Sequence, residues 1–309
     1  MVGSALLLEE AIAEVRPEGP FSIALASEDG IASRCGGHWP SGAPVLESDL
    51  FYGASLGKQI TGVAVALLVA DGLLDLEKCV AAYLPHAGQW TDHINARHLL
   101  HHVSGLPMQG ALEAGLQGNW TADGVMQALS RISADQPGRS FSYSNAGYVV
   151  LAEIVRAIAG IALPKFFSLR IGQPFHLESI QFADGPGNPP SKQWSLLGPH
   201  LPLTWGDGGM WTSAGAFAAW LTLQNRNLLA VEPLVTADYR LNNGECAGYG
   251  WGLGIRKTGS LSWFVHGGSW QGAYAKAIRC PMRDTGLVGL GVDPAVVSLV
   301  DNVSARLLG

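Results

Sequence analysis

Three short groupings in this chain hold side chains that can do acyl-transfer chemistry. The first is Ser55-Leu56-Gly57-Lys58. Positions three apart lie on one face of a helix, so the Lys58 amine can stand beside the Ser55 hydroxyl and take its proton as the oxygen attacks a carbonyl. The second is Tyr143-Ser144-Asn145. A phenol can relay a proton to a leaving group, and an amide side chain can hold either a substrate carbonyl or the lysine. The third is His266-Gly267-Gly268-Ser269, where paired glycines at a strand edge admit a ligand against the backbone. A backbone N–H there, with that of Ser55, can form an oxyanion hole. Each grouping also has an ordinary alternative. Ser55 can cap a helix while Lys58 is solvated, Asn145 can cap a helix while Tyr143 packs, and the glycines can turn a hairpin beside a surface histidine. A Ser and a Lys three apart occur about once by chance in a chain this long.

The elements that must position these groups are legible from periodicity. A helix is expected over 4–15, with Ser4 as cap and Pro17 and Gly19 beyond its end. Two strands follow over 20–39, joined at Glu28-Asp29-Gly30. Ile60, Val63, Ala64, Leu67 and Leu68 recur at helical spacing, predicting a helix over 55–71 stopped by Gly72. Helical patterns recur at 94–102, 121–134, 145–159 and 213–225, with Pro/Gly-rich links such as 106–110 and 185–190. The period then changes. Short stretches at 248–257, 261–266, 271–279 and 285–292 read as closely spaced antiparallel strands, with the third grouping ending one and leading to the next. A helix over 294–308 closes the chain. Strands at both ends and helices between predict an α+β fold. Residues 1–72 and 206–309 would form a sheet domain and 73–205 a mainly helical insert, with the site at their junction.

Composition narrows the function. Hydrophobic residues make up 48% and charged residues 14%, which excludes a disordered or rod-like chain. A net charge of -6 with no basic block argues against nucleic acid and anionic membranes. The cysteines (Cys35, Cys79, Cys246 and Cys280) show neither CxxC pairing nor zinc-ligand spacing, and free thiols are expected. Leu6-Leu7-Leu8 is cut short by Glu9 and Glu10 with no basic region before it, so no export signal is read and a cytoplasmic location is expected.

Taken in order, the three groupings resemble the beta-lactamase and penicillin-binding protein superfamily, in its class C-like branch of class C beta-lactamases, D-alanyl-D-alanine carboxypeptidases, D-aminopeptidases and related serine esterases. Its Ser-x-x-Lys, Tyr-x-Asn and Lys-Thr-Gly or His/Trp-x-Gly motifs are matched by Ser55 to Lys58, Tyr143 to Asn145 and His266 to Gly268. Stretches 72–76, 97–107, 208–213 and 249–254 are similar to further segments of the branch. The resemblance implies a beta-lactamase/transpeptidase-like fold and an acyl-enzyme on Ser55. Lys58 and Tyr143 would share the acid and base work. Asn145, Gly267, Gly268 and Ser269 would hold the substrate, the N–H groups of Ser55 and Ser269 forming the oxyanion hole. Water would release the acyl group, with Tyr143 taking its proton. It implies no metal and no organic cofactor.

His266 stands where lactam and carboxypeptidase members carry a lysine that helps receive a substrate carboxylate, and histidine is mostly neutral near its reference pKa. The expected substrate is therefore a small ester or an amide or peptide bond of D-amino acid type. The alternatives are a beta-lactamase or D-alanyl-D-alanine carboxypeptidase, and a binding or sensor protein whose Ser55, Lys58 and Tyr143 do not converge. The expected partner is a small-molecule ester, short peptide or lactam, with no nucleic acid and no membrane, on a monomer or small homo-oligomer. Trp205, Trp211 and Trp270 are expected near the cleft.

Overall fold

The computed structural model describes residues 2–107, 116, 120–183, 190–197 and 204–308. Parts of the two expected links, 108–110 and 185–189, lie outside them. Helix α1 (Val2–Val15) leads into the hairpin of β1 (Phe21–Ser27) and β2 (Gly30–Gly36). β3 (Phe51–Tyr52) and a 3₁₀ turn over Ala54–Gly57 precede α2 (Lys58–Ala70). Then come α3 (Ala96–Leu100), α4 (Ala122–Leu129), α5 (Asn145–Ala159), α6 (Leu163–Phe167) and β4 (Ile180–Phe182). β5 (Met210–Thr212), α7 (Ala214–Asn225) and α8 (Glu232–Val235) return the chain to β6 (Gly254–Thr258), β7 (Leu261–Trp270), β8 (Ala273–Cys280) and β9 (Thr285–Gly291). α9 (Ala295–Leu308) ends the described chain.

The main sheet is antiparallel, ordered β2-β1-β9-β8-β7-β6, so the first and last strands of the sequence meet in its middle. β1 is buried on both faces. Ile23 and Leu25 pack with Leu8, Leu299 and Val303 under α1 and α9, while Ala24 and Ala26 belong to the larger cluster that contains α2 and α5. That alternation is the period-2 geometry of a strand between two helical layers. α2 is buried along its length through Leu68, as a helix apolar on every side must be. Gly62 makes this burial possible, since a Cβ there would stand 2.4 Å from the carbonyl oxygen of Trp251. No single helix among the described residues is long and apolar enough to cross a membrane.

The α+β architecture agrees with expectation, and several details differ. The second strand stops at Gly36, and Trp39 instead donates to the Asp49 carboxylate at 2.7 Å and packs on Phe51. The stretch 248–253 is not strand, because Gly248 and Gly252 take positive φ (71° and 84°) and turn the chain before β6. Conversely, β7 does not end at His266. It continues through both glycines to Trp270. A small second sheet, β3-β5-β4, was not anticipated, its strands being only two or three residues long.

Candidate active site

Ser55 lies in the 3₁₀ turn that feeds α2, one step after Ala54, which holds a positive φ of 44°. A residue with a Cβ in that region is strained, and such strain is found where surrounding structure fixes a functional backbone. The Lys58 side chain is fully buried one turn on. Its Nζ lies 3.1 Å from Ser55 Oγ, 2.7 Å from Asn145 Oδ1 and 2.6 Å from the backbone oxygen of Asp207. The last two are carbonyl oxygens that can only accept, so they take two of the amine's N–H bonds and leave its remaining position facing Ser55. Asn145 is the first residue of α5, capped by the Ser144 hydroxyl accepting from Gly147 N–H at 3.2 Å. Tyr143 precedes it, with its ring centroid 5.0 Å from Lys58 Nζ.

Aromatic and imidazole rings close the inner wall. His102, at a positive φ of 57°, lies with its ring centroid 4.3 Å from that of Tyr143. Its Nδ1 accepts from Ser144 N–H at 3.1 Å, so a neutral ring carries its hydrogen on Nε2. Burial, then the nearby Lys58 charge, hold its pKa well below the histidine range. His101 Nδ1 donates to the backbone oxygen of Tyr249 at 2.7 Å, and its Nε2 accepts from Trp251 Nε1 at 3.1 Å. Burial pushes its pKa down to about 4. His266 Nδ1 donates to Gly267 O at 2.6 Å, which leaves Nε2 to accept from the Tyr249 hydroxyl at 2.8 Å. Burial and then Lys58 lower His266 to about 3, so it stands in the site as a neutral ring. Beneath Lys58, desolvation raises the Asp207 carboxyl above its ordinary value, against the opposing pull of the lysine.

β7 forms the outer wall. A two-residue turn at Gln271 (φ 20°) and Gly272 (φ 87°) joins it to β8. In such a hairpin the flanking pair, Trp270 and Ala273, exchanges the first hydrogen bonds. The next pair, Ser269 and Tyr274, therefore does not, and the Ser269 N–H points away from β8 towards the cleft. Gly268 lies against the Ser55 turn: a Cβ there would come within 2.6 Å of Gly53 O and 3.1 Å of Ser55 N.

These walls enclose an open cleft of about 760 Å³ lined by Ser55, Tyr143, Asn145, His266, Gly267, Gly268 and Ser269. Lys58 sits beneath it, and all eight residues singled out from the sequence come together here. The three tryptophans do not line it. Trp211 is buried against Tyr52 and Trp194, Trp205 borders a separate cavity, and Trp270 packs on Trp120. Sequence reasoning gave no role to Tyr249 or His102, although 97–107 and 249–254 stood out as segments. It had no means of finding the Asp207 carbonyl, because a backbone oxygen carries no residue-type signal.

Comparison with known proteins agrees with this architecture. The family model described as Beta-lactamase matches residues 32–290. The chain is 27% identical to penicillin-binding protein 4* of Bacillus subtilis, over 76% of this chain and 59% of that protein. It is also 27% identical to a D-aminopeptidase of Gluconobacter oxydans, over 74% of this chain and 46% of that protein. It thus spans about half the length of these curated relatives. Among solved structures, a D-amino acid amidase from Ochrobactrum anthropi complexed with L-phenylalanine superposes with a TM-score of 0.80 at 20% identity, covering 97% of this chain and 98% of that one.

Proposed function

The chain belongs to the beta-lactamase family, and from that premise we propose that it is a serine hydrolase working through an acyl-enzyme on Ser55. The observation that carries this reading is the seat of Lys58 Nζ, 3.1 Å from Ser55 Oγ and tied on its other sides to Asn145 and the Asp207 carbonyl. When Lys58 has given up its proton, its two N–H bonds go to the two carbonyls, and the lone pair that faces the serine hydroxyl accepts its proton as Oγ attacks. The oxyanion that forms is held by the N–H groups of Ser55 and Ser269. Tyr143, beside Lys58, passes a proton to the leaving group, and then draws one from the water that releases the acyl group. Asn145 fixes Lys58 and contacts the substrate, while the bare backbone at Gly267 and Gly268 leaves room for it. His266, neutral and bonded to Tyr249, braces the wall rather than supplying charge.

The substrate is a small ester or an amide or peptide bond of D-amino acid type. The names of the aminopeptidase and amidase relatives support the amide half of this reading. The test is intact-mass measurement after exposure to a panel of esters, D-aminoacyl amides and lactams, with Ser55→Ala as control. A mass increment that appears and decays only with Ser55 present is the expected result. Undiminished turnover by Ser55→Ala overturns the proposal.

A further inference from the structure

Beneath Lys58 the chain makes a short turn, Gly206-Asp207-Gly208-Gly209, that leads into β5. Its three glycines have no room for a side chain. A Cβ would come within 2.3 Å of the Tyr148 carbonyl oxygen at Gly206, 3.0 Å of the Tyr52 hydroxyl at Gly208 and 2.5 Å of the Thr204 carbonyl oxygen at Gly209. The turn is pinned from two sides. The Thr61 hydroxyl of α2 donates to Gly206 O at 2.7 Å, and Gly209 N–H donates to the Tyr52 hydroxyl at 3.2 Å. The single side chain carried by this packed turn is a carboxyl, and the proton transfer described above makes no use of it.

The backbone oxygen of Asp207 accepts from Lys58 Nζ at 2.6 Å. The carboxyl of the same residue therefore lies within about 7 Å of the amine. Its Oδ1 is buried and has no hydrogen-bond partner among the described residues. Burial raises this carboxyl above its ordinary value, and the Lys58 charge opposes the rise. The rings packed around Lys58 bring no negative charge of their own. Burial, then Lys58, lower His102 and His266, and burial holds the Tyr52 and Tyr148 phenols above their ordinary value. Tyr143 presents its ring face, 5.0 Å from Nζ. Among the described residues no Asp or Glu lines the cleft above.

We propose that Asp207 is a positioning residue for the proton transfer: its carboxylate is the buried counter-charge of Lys58 and favours the ammonium that forms as Ser55 loses its proton. This rests on the serine hydrolase reading and deepens it. In that step Ser55 Oγ bonds to the substrate carbonyl carbon, its proton moves to Nζ, and the carbonyl π pair becomes the oxyanion. The ammonium so formed is buried, and a carboxylate behind it lowers the cost of its charge. The same carboxylate favours the ammonium before substrate arrives, when Lys58 cannot accept a proton. It thus strengthens the base and also raises the pH at which the base becomes free.

The ordinary alternative is an Asx turn, in which the side-chain oxygen only accepts from the nearby backbone. Asparagine serves that purpose equally and carries no charge. The experiment follows kcat/KM against pH for nitrophenyl acetate, with the wild type, Asp207→Asn and Asp207→Ser. Nitrophenolate leaves without needing a proton, so kcat/KM here reports attack by Ser55. In both variants the acid limb should move to lower pH by about 1–2 units, the Coulomb effect of one charge at this distance. The plateau should fall about threefold to tenfold, as a weaker base requires. A limb that stays in place in a folded neutral variant, whatever happens to the plateau, assigns the carboxyl to the turn and overturns the inference. Failure of both neutral variants to fold does the same. Absence of wild-type acylation by every ester, amide and lactam overturns the hydrolase reading itself.

Discussion

Lys58 gathers the site because its buried amine meets oxygen atoms from three parts of the chain: the Ser55 hydroxyl, the Asn145 side-chain carbonyl and the Asp207 backbone carbonyl. Replacing it with methionine keeps much of the volume and leaves the two carbonyl oxygens unsatisfied. Lys58→Met should therefore lower kcat by about 10²–10⁴, the usual worth of a positioned proton acceptor, and also lower the thermal midpoint. Full activity in that variant, measured with any ester the wild type turns over, would remove Lys58 from the mechanism. The histidines make a separate prediction. Unfolded histidines titrate near 6.5, but burial lowers folded His101 to about 4 and His266 to about 3. Between these values the unfolded state binds protons that the folded state refuses. The stabilisation is thus complete above pH 6.5 and is lost as pH falls through 4 towards 3. His266→Gln should flatten the stability–pH slope in this window by up to about 1.4 kcal/mol per pH unit, as read from chemical denaturation at several pH values. An unchanged slope would show that His266 already takes up its proton in the folded protein.

Among the elements, the turn around Ser55 and the glycine edge of β7 must fit to a fraction of an ångström. A methyl on Gly268 would meet Gly53 O at 2.6 Å and Ser55 N at 3.1 Å, both backbone atoms with little freedom to yield. Gly268→Ala should part β7 from the turn and spoil the pairing of the Ser55 and Ser269 N–H groups. Its cost should appear mainly in kcat, about 10²–10³, the usual effect of losing one oxyanion donor. A thermal midpoint that falls by many degrees while the kcat of the remaining folded protein is kept would assign Gly268 to stability instead. This edge was also where sequence reading was least complete. α5 could be bounded closely because Ser144 caps it and Gly160 ends it in a left-handed turn, both local signals. α2 was legible from its repeating apolar positions, though its first turn is 3₁₀ and places Ser55 before the α-helix proper. That β7 runs on through Gly267 and Gly268 was not legible. Paired glycines ordinarily signal a turn, and what keeps them extended is their register with Lys276 and Ala275 of β8, a contact between different parts of the chain.

At the scale of the molecule, we propose the division expected from the sequence, with residues 1–72 and 206–309 around the main sheet and 73–205 as the helical insert. One apolar cluster nevertheless joins them. It contains Ala24 and Val288 of the main sheet, Val63 and Leu67 of α2, Val125 of α4, Ile154 of α5 and Phe217 of α7. Lys58 and Asn145 add a polar tie at 2.7 Å across the same boundary. Regions that share a core lose it together, because removing one side exposes the apolar face of the other to water. The protein should therefore unfold in a single transition, with fluorescence of its 10 tryptophans and far-ultraviolet circular dichroism giving coincident curves. Val63→Ala, at the fully buried centre of α2, should shift both curves together by an amount equivalent to about 1–3 kcal/mol, the cost of a small cavity. Two separated transitions, with this substitution moving only one of them, would mean that the helical part holds its own core and that the Ser55–Lys58–Asn145 contact joins units of independent stability.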